Sequence, residues 1–241
     1  MEIIKKMVAK SKNLRDGDIP TIAFIGDSVT QGCFEIYMKA ENAIETVFDK
    51  NYAYHNYIAK IFAEIFPDVP VTIINAGISG DNAVHALTRL EKDVISKKPD
   101  LTVVSFGLND SSGGIEKLPA YKDALRQIFT NLKEAGSEVI FLTENMMNTK
   151  VSCHIKEPFI KKVAEMLMDI QNNGTLDAFF DAAREVAAEC DVKVCDVYAK
   201  WKKMAEYGID TTALLSNDVN HPTRGMNWLF AHSLVETMMQ D

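Results

Sequence analysis

Short apolar runs recur along the chain, each followed by a polar or glycine-rich loop and then a helical pattern. No other feature of the sequence narrows the fold so far. Ile22-Ala23-Phe24-Ile25 is the first run, residues 69–75 the second, 101–106 the third, 138–143 the fourth and 192–194 a short fifth. The third run is apolar enough to be buried on both faces, as strands inside parallel sheets are. Between the runs, apolar residues recur at helical spacing: Tyr57, Ile58, Ile61, Phe62 and Ile65 ahead of Pro67, then Val84, Leu87, Leu90 and Val94. Further helices are predicted over 119–135 (closed by Gly136), 158–170, 176–188, through Trp201 and Met204, and over 223–239. Residues 1–20 form a leading segment with a short helix and a turn at Asp16-Gly17-Asp18-Ile19-Pro20, and 33–54 reads as a long connection rich in Glu, Asn and aromatic residues. Strands alternating with helices predict an α/β fold with a mainly parallel five-stranded sheet and right-handed crossovers. No repeat, low-complexity tract or linker interrupts the 241 residues, so one domain over 1–241 is expected.

Composition removes several function classes. A net charge of −8 argues against nucleic acid or an anionic membrane surface as partner. No transmembrane-length apolar run is present. The lysine-rich start lacks the apolar core of a secretory signal, so a cytoplasmic location is expected. The four cysteines, Cys33, Cys153, Cys190 and Cys195, are too scattered for a disulfide framework and match no common zinc knuckle, so they are expected to be core or surface thiols. A homo-oligomer is compatible with everything in the sequence.

Chemistry concentrates where the runs end. Side chains at the carboxyl ends of parallel strands face the crevice in which open α/β sheets hold ligands. The first strand delivers Ser28 there, a candidate nucleophile that needs a base to take its proton. Near the other end of the chain stands Asp218-Val219-Asn220-His221-Pro222. The Asp218 carboxylate can fold back onto the ring nitrogen of His221 that faces away from the serine, and Pro222 restricts His221 to extended geometry. Oxyanion donors are available at the exit of the second strand, where Gly80 could offer its N–H, and of the third, where Asn109 has a side-chain amide. A turn glycine, an Asx-turn asparagine and a solvated Asp-x-x-His loop are the plain readings of the same residues one at a time. Their combination at one sheet edge is what points to catalysis.

Gly26-Asp27-Ser28, Asn75-Ala76-Gly77-Ile78-Ser79-Gly80, Gly107-Leu108-Asn109-Asp110 and Asp218-Val219-Asn220-His221 resemble, in order, the four sequence blocks of the SGNH, or GDSL-type, hydrolases. The resemblance covers residues 21 to about 235. It implies a flavodoxin-like three-layer α/β/α sandwich and ester hydrolysis without metal or organic cofactor. It further implies that Ser28 is the nucleophile, His221 the base and Asp218 its orienter, with the Ser28 N–H, the Gly80 N–H and Asn109 as oxyanion hole. Val29 stands where many members have leucine. The stretch is not a G-x-S-x-G elbow, since the second glycine is missing.

The remaining candidates carry weaker expectations. Asp27 is expected to brace its loop by hydrogen bonds to backbone and, with Asp110 and Ser111, is a candidate for contacting substrate. Asp110, Ser111 and Ser112 serve equally well as caps of the next helix, and Asp81 or Asn82 as a helix start. His55, His85, His154 and His232 lack partners in sequence and are assigned to packing or surface, and Met146-Met147 and Met238-Met239 to core filling. The expected reaction is removal of acetyl or other short acyl groups from a carbohydrate or small ester, with 33–54 as one wall of a sugar-sized site. A lysophospholipase or thioesterase of the same family, acyl transfer to another hydroxyl, and a catalytically silent α/β binding module are the alternatives.

Overall fold

The computed structural model describes residues 1–41 and 43–240. Helix α1 (Glu2–Lys12) leads into strand β1 (Thr21–Gly26), the one-turn helix α2 (Ser28–Gln31), and strands β2 (Cys33–Ala40) and β3 (Ala43–Phe48). Then follow α3 (Tyr54–Ile65), β4 (Thr72–Gly77), α4 (Ala83–Asp93), β5 (Leu101–Ser105), α5 (Leu108–Ser111), α6 (Leu118–Glu134) and β6 (Glu138–Leu142). Helices α7 (Pro158–Asn172) and α8 (Thr175–Glu189), strand β7 (Lys193–Cys195), and helices α9 (Val197–Glu206) and α10 (Asn227–Met239) complete the chain.

The central sheet has five strands, all paired in parallel, in the order β4-β1-β5-β6-β7. Sequence alone explains its middle. Ile22 to Ile25 and Val103 to Val104 are fully buried, as strands covered on both faces must be. The chain steps from β1 out to β4, then returns past β1 to β5 and continues to β6 and β7. Right-handed crossovers therefore place α3 on one face and α4, α6 and α8 on the other. The helix contacts agree: α3 packs on α10, α4 and α8 pack on α6, and α1 and α9 reach α10. Helix α6 buries the stripe its periodicity promised, Tyr121, Ala124, Leu125, Ile128, Phe129 and Leu132, whereas α4 turns Ala83, Ala86 and Leu90 inward and leaves Val84, expected on its inner face, exposed. One hydrophobic cluster runs from Ile3 to Met238, so the leading helix is part of the core.

Two further expectations need correction. The long connection 33–54 contains an antiparallel hairpin, β2 with β3, standing outside the main sheet. Register irregularities at Cys33/Ile36 and Met38/Ala40 break the two-residue alternation that would have announced it. The last helix begins at Asn227 rather than 223, because Pro222 is bridged to Leu215 and the chain turns through 223–226 before α10 starts. No helix among the described residues is long and apolar enough to cross a membrane.

Candidate active site

In this strand order the connections from β1 and β5 diverge, and a crevice opens at their carboxyl ends. β1 ends at Gly26, Asp27 caps α2 by accepting from the Val29 N–H (2.8 Å), and Ser28 is the first helical residue. The glycines at the strand ends make this placement possible. A Cβ on Gly77 would lie 2.7 Å from the carbonyl carbon of Thr30 and closer still to the Gln31 nitrogen, and one on Gly26 would strike the Thr30 side chain. Helix α2 therefore rests directly on the sheet, and Ser28 has little room to move.

The Ser28 Oγ lies 3.0 Å from His221 Nε2, across 193 residues of sequence. His221 Nδ1 is 2.8 Å from the backbone carbonyl of Phe34, the second residue of β2. A carbonyl can only accept, so Nδ1 carries the ring proton and Nε2 is free to accept from the serine hydroxyl. Burial pushes His221 down to about 4, against the opposing pull of the Phe34 carbonyl and the Glu35 charge, so the ring is neutral at neutral pH.

The loop that presents His221 is built on Asn217. Its Oδ1 accepts from the Val219, Asn220 and His221 N–H groups at 3.1, 2.9 and 2.9 Å. From beneath, the Asn145 amide donates to the Asn220 carbonyl (2.8 Å) and the Asn148 N–H to that of Val219 (2.8 Å). Asp218 is not part of the contact expected of it. It occupies left-handed backbone (φ +57°) and lines two grooves beside the loop, while Phe34 occupies the acceptor position at Nδ1. The three-residue spacing allowed a fold-back, but the Asn217-centred turn directs the Asp218 side chain elsewhere.

Arg224, three residues beyond His221, ties this loop to the hairpin. Its guanidinium grips both oxygens of Glu35, reaches Asp49 at 3.1 Å and lies 4.3 Å over the Phe34 ring. The Phe34 carbonyl is thereby held from the same loop that carries the histidine it contacts.

On the other side of Ser28 stand the donors. The Ser28 N–H is in the first turn of α2 and has no intrahelical acceptor, and the Gly80 N–H meets no acceptor among the described residues. Gly80 adopts φ +78°, open to glycine without strain. The Asn109 amide donates to Asp27 Oδ2 and to the Asp81 carbonyl, both at 2.9 Å. Asn109 thus joins the Ser28 turn to the Gly80 loop, and it can serve an oxyanion only by sharing or releasing one of these bonds. Arg89 braces the same floor, donating to Asp81 and to the carbonyls of Ala76 and Gly26 at the ends of β4 and β1. Asn82 caps α4 by accepting from the His85 N–H.

Asp27, Asp110 and Ser111, the weaker candidates for contacting substrate, are all buried and each is engaged within the protein. Asp27 is filled by backbone and Asn109, Asp110 accepts from the Ala83 N–H (3.0 Å), and the Ser111 hydroxyl donates to the Leu108 carbonyl (3.0 Å). Burial pushes the Asp110 carboxyl up to about 7. Among the described residues, no group of three or more His, Cys, Asp or Glu side chains is arranged to hold a metal ion. His55 is buried beside β4, where the Asn75 amide donates to its Nε2 (2.9 Å).

Several contributors escaped sequence reading: Phe34, Glu35, Asn145, Asn217, Arg224 and Glu144. Glu144 and Asn145 had a usable signal, since they follow β6 at the same sheet edge as the other loops. Phe34 had none, because a backbone carbonyl leaves no mark in a sequence.

Fold and site together define a flavodoxin-like α/β protein with a serine–histidine pair at the switch-point crevice. The chain belongs to the GDSL-like lipase/acylhydrolase family, whose sequence model matches residues 24–228. It is 29% identical over 97 residues to an acetylxylan esterase of Geobacillus stearothermophilus, covering 40% of this chain and 42% of that protein. It is 28% identical over 123 residues to an arylesterase of Vibrio mimicus, covering 48% and 56%. The chain thus spans about half the length of these relatives. The solved structure of the Geobacillus stearothermophilus acetylxylan esterase superposes with a TM-score of 0.68 at 21% identity, over 93% of this chain and 96% of that one. A two-domain esterase active on acetylated mannans gives 0.69 at 18% identity, over 99% and 54%. At these identities the structural likeness is one of fold.

Proposed function

We propose that this protein is a serine ester hydrolase that removes acetyl or another short acyl group from a carbohydrate ester. The observation that carries the reading is the 3.0 Å contact between Ser28 Oγ and a His221 Nε2 left free by the Phe34 carbonyl. In this mechanism the Ser28 oxygen attacks the ester carbonyl as its proton passes to His221 Nε2. The tetrahedral oxyanion is received by the Ser28 and Gly80 N–H groups, with Asn109 as the third donor. Collapse expels the sugar alkoxide, which takes the proton from His221 and leaves an acyl-Ser28. Water, deprotonated by His221, then releases the acid. While the imidazolium exists, the Phe34 carbonyl and the nearby Glu35 carboxylate favour its charge.

A short acyl group is favoured because Ser28 and His221 are only 4% and 6% exposed. The leaving group is assigned to a groove of about 520 Å³ that begins at Glu35 and Asp218 and continues past Tyr37, Met38 and His154. Its lining sets Glu35, Asn217 and Asp218 beside Tyr37 and the apolar Ile36 and Ile155, a mixture that can meet both the hydroxyls and the ring face of a sugar, and the relatives named for acetylated xylan and mannan support that choice. The test compares acetylated xylo-oligosaccharides with nitrophenyl esters of increasing chain length. Acetyl esters are expected to be fastest, and Ser28→Ala is expected to lower kcat by at least about 10³-fold. Activity surviving in Ser28→Ala would overturn the hydrolase assignment, and a preference for long-chain acyl groups would overturn the substrate class.

A further inference from the structure

Glu144 lies two residues beyond the end of β6, at the same sheet edge as Ser28, and is 0% exposed. Its Oε2 accepts from the Leu108 N–H at 3.1 Å, at the start of the turn that carries Asn109. Its Oε1 meets no donor at all. Hydroxyls stand near it, but that of Tyr54 is engaged with Thr30 (2.8 Å) and that of Tyr121 with the Phe106 carbonyl (2.8 Å). The group within hydrogen-bonding reach is the Asp27 carboxyl. Both Asp27 oxygens already accept, from the Val29 N–H and from the Asn109 amide. Two carboxylates cannot hydrogen-bond each other without a proton between them, and the arrangement of donors decides where it sits. Asp27 is the acceptor, and the Glu144 carboxyl carries the hydrogen.

We infer that Glu144 is a positioning residue: as the protonated partner of the Asp27 carboxylate, it holds Asp27, and through it the Asn109 amide and the turn carrying Ser28, in the geometry the oxyanion donors require. The inference rests on the esterase reading for its kinetic consequence, though not for the proton itself. The charged groups acting on Glu144 are Asp27 from the β1–α2 turn and Asp110 from α5, while Tyr54 of α3 and Tyr121 of α6 stand close enough to feel its charge. None of them is a cation. Asp81, which acts on Asp27, is neutralised by Arg89, and Arg184, which acts on Tyr121, is engaged with Asp181 and Asp196. Burial and the Asp27 charge both push the Glu144 carboxyl well above its usual range. Loss of the shared proton would leave two buried anions side by side and drive Asp27 away from Asn109.

The experiment measures kcat and KM on an acetyl ester as a function of pH for the wild type, Glu144→Gln and Glu144→Leu, together with the infrared band of a protonated carboxyl. Glu144→Gln keeps an acceptor for the Leu108 N–H and a donor toward Asp27, but cannot titrate. Expected are a protonated-carboxyl band in the wild type that Glu144→Gln removes, and a kcat on the order of ten- to a hundredfold lower in Glu144→Leu with KM little changed. Glu144→Gln is expected to rescue kcat and to keep it at alkaline pH wherever the wild-type rate falls with the band. The inference is overturned if that band is missing at neutral pH, if Glu144→Gln is as slow as a folded Glu144→Leu, or if the wild-type band disappears with kcat unchanged. Should Glu144→Leu fail to fold, the band and the Glu144→Gln profile decide. A wild type that cleaves no ester would sink the esterase reading, and the band would still test the shared proton.

Discussion

The histidine at the centre of the site is held by a backbone carbonyl, and this changes what its neighbours are expected to do. A carboxylate orienter adds a full charge beside the imidazolium, and its loss typically lowers kcat about 10⁴-fold. Here the Phe34 carbonyl already fixes the tautomer. Asp218→Asn is therefore expected to lower kcat by no more than about tenfold, whereas a loss near 10⁴-fold would mean that Asp218 swings onto Nδ1 during turnover. The pH profile provides a second measurement. Burial pushes His221 down to about 4, so kcat/KM for acetyl-ester hydrolysis should hold through pH 5 and fall only as pH approaches 4. A fall centred near 6.5, the value of a solvated imidazole, would show that the ring is wetter than its burial implies. Ser28, Gly80, Asn109, Asp218 and His221 were all legible as candidates, because each lies in a loop at a strand end or in a spaced motif. Whether Asp218 or a carbonyl holds His221 was not legible, since it depends on the path of a turn governed by Asn217.

Among the elements, the crossing of α2 over the ends of β1 and β4 is the tightest constraint on the nucleophile. Gly77→Ala would press a Cβ into the backbone of Thr30 and Gln31, neither of which can yield as a flexible side chain would. It is expected to lower stability by about 1–3 kcal/mol, measured by urea unfolding, and to reduce esterase activity in the surviving folded protein. An unchanged unfolding midpoint would show that α2 can lift from the sheet at no cost. The strands and long helices were readable because buried parallel strands and amphipathic helices each impose a residue period. The β2–β3 hairpin was not, because its irregular register and largely exposed faces carry no clean period. Yet this hairpin supplies Phe34 and Glu35, and Arg224 clamps it to the histidine loop.

For the molecule as a whole, the site sits above a cluster of buried carboxyls whose deprotonation opposes stability at alkaline pH. Asp110 is raised from 3.8 to about 7 by burial, with one oxygen capping α4 at Ala83 and the other unpartnered. A raised carboxyl binds its proton more tightly in the folded state. Its contribution is therefore fully present below about pH 4 and is lost as pH rises through 7. Asp110→Asn removes that dependence. Its stability advantage over the wild type should be larger at pH 8 than at pH 5 by on the order of 2–3 kcal/mol, read from thermal or urea unfolding at both values. An equal difference at the two pH values would show that Asp110 does not titrate in this window. The sequence by itself determined the alternating strands and helices, the family, and the loops that carry Ser28, Gly80, Asn109 and His221. Periodicity and turn chemistry are local properties, and local properties are written residue by residue. The tertiary structure alone decided that Phe34 holds His221, that Arg224 locks the hairpin to the histidine loop, and that Glu144 lies against Asp27. Those contacts join residues 117 to 189 positions apart, and only the packing of the sheet and its loops brings them together.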